Sequence, residues 1–69
     1  NARELLAMGL RPATGIDRRR IETVADRALP QTKIDVFVDE GWMVQDGSRI
    51  ALTAKGRLLA DALTAELSP

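Results

Sequence analysis

Asp46-Gly47 is the feature that most restricts what this chain can fold into. The dipeptide is a strong short-range signal for a tight reversal between two strands, because Gly supplies the positive φ such turns need. On either side lie Trp42 to Gln45 and Arg49 to Leu52, short apolar and partly β-branched segments that read as the two strands of a hairpin. Everything outside that hairpin reads as helix. Ala2 to Met8 offers Leu5, Leu6 and Met8 as apolar surface, with Gly9 where a left-handed C-terminal residue is wanted. Pro12 and Gly15 then interrupt the chain. Asp17 is a good N-cap for a second helix, in which Ile21, Val24, Ala25, Ala28 and Leu29 recur as one buried stripe ending before Pro30.

Lys33 to Glu40 fits two periods. Ile34, Val36 and Val38 alternate as in a strand, whereas Ile34, Phe37 and Val38 fit a helix. Pro30 suits a first helical turn and Gly41 suits the position just past a last one, so the segment is read as a third helix. Thr53 caps a final helix whose Leu59, Ala62, Leu63 and Leu67 are expected to face the core. The predicted fold is mainly α with a small β-hairpin. It is winged-helix-like, with three helices, a two-stranded wing and a C-terminal helix in a single domain over residues 1–69.

A chain of 69 residues buries a thin core, and packing against a larger partner would help it. Cys and His are both absent, which removes thiolate and imidazole chemistry and the usual zinc and haem ligands. No catalytic, cofactor-binding or metal-ligating residue is assigned, and the chain is not expected to be a complete enzyme. No apolar run approaches the roughly 20 residues that span a bilayer, and a cytoplasmic setting is expected. Asn1 rather than Met at the start predicts a piece of a longer polypeptide.

The winged-helix arrangement is best known for placing its third helix in the DNA major groove. Here Lys and Arg number 10 against 10 Asp and Glu, and the third helix carries Asp35, Asp39 and Glu40 against Lys33 alone. That face opposes phosphates, which argues against nucleic acid, although Arg49 in the wing and the Arg18-Arg19-Arg20 run keep a transcriptional regulator as the alternative reading. Those three arginines also stand in the first turn of a helix, against its macrodipole. The simpler reading is a solvated face with an Arg18 to Glu22 pair; the sharper one has Arg18, Arg19 and Arg20, or Arg11, meeting carboxylates on a partner domain or ligand. Trp42, the only tryptophan, is read as a core side chain in preference to a stacking platform, and Met8 and Met43 as core fillers in preference to haem ligands. Gly56, in a first helical turn, is read as making room for another backbone, either the hairpin or the second helix.

Glu4, Met8-Gly9-Leu10-Arg11, Gly15-Ile16-Asp17, Glu40-Gly41, Asp46-Gly47, Leu52-Thr53 and Lys55-Gly56 follow one another at spacings similar to a known pattern. Over nearly the whole chain they resemble the C-terminal domain of the oxygen-independent coproporphyrinogen III oxidase family, which includes radical SAM haem chaperones. The resemblance implies an upstream radical SAM barrel in the same polypeptide, with a [4Fe-4S] cluster on three cysteines and S-adenosylmethionine, acting on porphyrin or carrying haem. The present domain would then pack beside that barrel as a cover or docking module. Arg11 and Asp17 match the family's element and are read as positioning residues at a domain interface, Asp17 as a helix cap. Where the family often has an apolar and then an acidic residue, this chain has Pro12, Ala13 and Thr14, so no role of an acid carries over. The short wing and compact Gly-Leu-Arg to Gly-Ile-Asp element look somewhat more like the chaperone branch.

Overall fold

The computed structural model describes residues 2–68. Its first helix, α1 (Ala2–Leu10), buries Leu6 and Leu10 one turn apart, with Ala2 and Leu5 packed at the edge of the same core. The helix runs through Gly9, which is not its terminator. A Cβ there would lie 2.5 Å from Cδ1 of Ile16, so the glycine exists to let Ile16 rest on the helix. Met8 is 74% exposed and fills no core space, because it lies off the stripe that Leu6 and Leu10 define.

Arg11 precedes Pro12 and leaves the helix, as the residue before a proline is driven out of the α region. A turn closed by Gly15 N–H on the Pro12 carbonyl (2.9 Å) then delivers β1 (Ile16–Asp17). Gly15 sits at φ +67°, and any Cβ on it would overlap the Ile50 carbonyl. Two residues are too few to show alternation, so this strand was not foreseeable from periodicity.

Asp17 caps α2 (Arg18–Ala25), its carboxylate accepting from the Arg19 backbone N–H at 2.9 Å. The helix is shorter than its apolar stripe predicts. It ends in a left-handed Asp26 at φ 57°, and only Ile21 of the helix is buried; Val24 and Ala28 face solvent while Leu29 re-enters the core from the following loop. The cause is Glu22. Its carboxylate accepts the Leu29 N–H at 2.7 Å and pulls the chain back across the helix end.

Pro30 precedes α3 (Gln31–Asp39), which buries Ile34 and Phe37 and leaves Val36 and Val38 outside. Its end is a Schellman motif: Trp42 N–H reaches the Phe37 carbonyl (2.9 Å), Gly41 N–H the Val38 carbonyl (3.0 Å), and Gly41 takes φ +79°. The accompanying apolar contact is Trp42 on Phe37, with ring centroids 6.0 Å apart. Trp42 is therefore a packing residue, half-buried against the core.

The wing is β2 (Met43–Asp46) and β3 (Arg49–Leu52), turning through Gly47 and Ser48. With β1 it makes a three-stranded antiparallel sheet of order β1-β3-β2, one strand more than the expected hairpin. In register, Ile16 faces Ile50 and Met43 faces Leu52. Met43 is buried, as expected of a core filler.

The final helix is two. α4 (Ala54–Arg57) is capped by Thr53, whose Oγ1 accepts the Gly56 N–H (3.0 Å), and α5 (Ala60–Leu67) follows after a break at Leu58 and Leu59. Leu63 and Leu67 enter the core; Leu59 and Ala62, expected there, are exposed. A Cβ on Gly56 would overlap the Trp42 carbonyl, so the close approach is to the hairpin. α4 is thus pinned to the wing while α5 packs on α1, and the break lets the chain do both.

Candidate docking surface

The residues singled out in the sequence fall on different faces. Arg18 points inward along the protein's own polar seam: its side chain is 12% exposed, pairs with Glu22 at 3.2 Å, donates to the Leu29 carbonyl at 3.2 Å and meets the Gln31 side chain. Gln31 extends the seam to Asp35 (2.8 Å) and Gln45 (3.1 Å), joining α2, α3 and β2. The expected Arg18 to Glu22 pair is present, and it fastens the loop after α2.

Asp17, Arg19 and Arg20 come together elsewhere. With Leu5, Thr23 and Val24 they line a groove of about 390 Å³ between α1 and α2. Arg19 and Asp17 form a close ion pair within it (2.7 Å). Hydrogen bonds from the Arg19 side chain and backbone hold the Asp17 carboxyl far below the usual carboxylate range, and the same contact raises the Arg19 guanidinium further. That pair is satisfied within the domain. Arg20 is exposed on the groove's rim and has no ion-pair partner among the described residues.

Arg11 lies on a third surface. It lines a groove of about 480 Å³ at the α4–α5 break together with Arg57, Leu58, Leu59, Asp61 and Ala62. Its ion pair with Asp61 is loose (3.6 Å), and both side chains are mostly exposed. Leu58, at 86% exposure, is the most exposed of the large hydrophobic side chains among the described residues. Sequence reasoning missed this site because it placed the leucines on an unbroken helix; the run Gly56-Arg57-Leu58-Leu59, with adjacent leucines after a glycine, was the available signal.

The Leu52-Thr53-Ala54-Lys55-Gly56 run has a structural explanation. Leu52 is buried, Thr53 Oγ1 also donates to the Gly41 carbonyl (2.6 Å), and Thr53 N–H reaches the Trp42 carbonyl (3.0 Å). Lys55 Nζ donates to the Glu40 carbonyl (3.2 Å), placing a cation at the C-terminal end of α3 where the macrodipole favours it. The motif knots the wing to α3.

The face that would meet DNA is acidic. Asp35 and Asp39 on α3 and Glu40 at its C-cap are exposed, and the wing's Arg49 spends its guanidinium on the Thr14 and Gly15 carbonyls (3.1 and 3.3 Å). Among the described residues no cluster of acidic, His or Cys side chains could hold a metal ion, and no helix is long and apolar enough to cross a membrane.

Compared with models of known families, residues 1–59 match the one described as the HemN C-terminal domain. No curated protein and no solved structure matches the chain.

Proposed function

The chain belongs to the HemN C-terminal domain family, matched over residues 1–59, and on that premise we propose that it is the accessory domain of an oxygen-independent coproporphyrinogen III oxidase-like radical SAM protein. Its work is to pack against the catalytic barrel of the same polypeptide, which carries the porphyrin or haem chemistry. The observation that supports this beyond the family is the pair of leucines held in solvent at the α4–α5 break, Leu58 above all.

The [4Fe-4S] cluster and S-adenosylmethionine are assigned to the barrel. When bound there, they supply radical chemistry, which a protein surrounds and orients. The residues of this chain do not fit a cluster site, since it contains no cysteine to ligate one. Its contribution is positional. Gly15, the β1–β3 pairing and the Asp17 cap fix the element from Gly9 to Asp17, and the Thr53 knot fixes the wing and α4.

The test removes residues 1–69 from the full polypeptide and follows coproporphyrinogen III decarboxylation, haem titration and iron content. Unchanged cluster content with reduced turnover or haem retention and a lower melting temperature is expected. Identical turnover, haem affinity and melting in both forms would overturn the proposal. A DNA-binding role predicts retardation of duplex DNA at low salt, where non-specific binding is strongest; the acidic α3 predicts none.

A further inference from the structure

Surfaces of the described residues differ in what they offer a partner. The groove between α1 and α2 holds one close ion pair, Asp17 on Arg19, with Arg20 exposed on its rim, and its apolar lining, Leu5 and Val24, is less exposed than Leu58. The outer face of α3 is acidic, with Asp35 and Asp39 exposed on it. The α4–α5 break combines exposed apolar side chains, a concavity and unbalanced charge.

At that break Leu58 and Leu59 are 86% and 40% exposed, and Leu59 stands at the N-cap of α5 with no side-chain cap hydrogen bond. Ser, Thr, Asp or Asn would serve the isolated helix better. Around them stand two guanidinium groups, Arg11 and Arg57, and one carboxylate, Asp61, so the groove keeps an excess positive charge. The volume of about 480 Å³ is in the range of sites that enclose a small ligand or a cluster of side chains.

We infer that the α4–α5 break receives a segment of the larger polypeptide that carries an aliphatic or aromatic anchor beside a carboxylate. The anchor seats against Leu58, Leu59 and Ala62, and the carboxylate pairs with Arg57 and draws Arg11 away from its loose contact with Asp61. Charge selects this occupant over a second copy of the chain. An isologous contact at the break sets two patches with the same excess positive charge against each other, whereas a segment that brings a carboxylate neutralises that excess. That the segment lies in the same polypeptide rests on the reading above.

The test uses the full polypeptide, with a photoreactive amino acid at position 58 and, separately, at position 20. Irradiation is expected to join position 58 to a peptide outside residues 1–69 in which an apolar residue stands near an Asp or Glu. Arg57→Glu is expected to lower that yield about tenfold, and Lys in place of the partner acid to restore it. Leu58→Ser, at an exposed position, is expected to leave the melting of the 69-residue chain unchanged while lowering that of the full polypeptide. Cross-links from position 58 only to a second copy, or none from 58 while position 20 joins the barrel, would overturn this inference and leave the accessory role standing. No cross-link from either position would remove both.

Discussion

Gly56 shows how much one missing side chain can hold in place. Its helical position invites alanine, which is worth up to about 1 kcal/mol in helix propensity. Against that stands the Trp42 carbonyl, in the space a Cβ would occupy, and backbone cannot step aside as a side chain can. Gly56→Ala is therefore expected to destabilise the chain by about 2 kcal/mol, read by urea denaturation; equal or higher stability would mean the wing and α4 are not in contact. Gly56 was legible as a close-approach glycine, while Gly9 was not, since its reason is Ile16, which lies across a turn. At Asp17 the prediction concerns pH. Its folded carboxyl is depressed by Arg19, so its contribution is complete above the unfolded value of about 3.9 and is lost as pH falls from there toward the folded value. Asp17→Asn keeps a capping oxygen but loses the ion pair, so the variant is expected to melt below the parent at pH 7, with the gap closing progressively below about pH 4. A gap independent of pH would show that the Arg19 pair contributes nothing.

At the scale of elements, α2, α3 and α4 were recognisable by their caps but not always by their apolar stripes. Asp17 and Thr53 cap as their residue types suggest, and Gly41 closes α3, because these bonds are local. The stripe of α2 failed because Glu22 and Arg18 hold the Leu29 backbone, a tertiary effect that periodicity does not carry. The same holds for the last helix, where docking of α4 on the wing and α5 on α1 divides what reads as one helix. The left-handed Asp26 that ends α2 gives a direct test. Asp26→Gly removes the Cβ penalty of that conformation and is expected to raise stability by about 0.5 to 1 kcal/mol in thermal or urea unfolding. A loss of stability would mean the carboxylate has a role there that the backbone geometry does not explain.

At the scale of the molecule, helices around a hairpin were legible because Asp46-Gly47 and the Pro and Gly boundaries are strong local signals. The two-residue β1 was invisible, being defined only by its partner Arg49 and Ile50 across the chain. The family was legible from the spacing of Gly-Leu-Arg, Gly-Ile-Asp and Leu-Thr-Ala-Lys-Gly, and these runs prove to be the two knots that hold the sheet to the helices. The docking surface was only half legible. Arg11 was singled out, but its neighbours Arg57, Leu58 and Leu59 were given to the core or passed over, since the helix break that exposes them depends on two packings at once. The proposed role is for this domain to cover, and be covered by, the rest of a larger polypeptide. Hydrogen exchange of residues 57–62 in the full polypeptide, compared with the 69-residue chain, tests it most directly. Exchange is expected to slow at least about tenfold at these amides, which span the α4–α5 break and the start of α5, where no side chain caps the helix. Equal rates in the two contexts throughout the chain would contradict it.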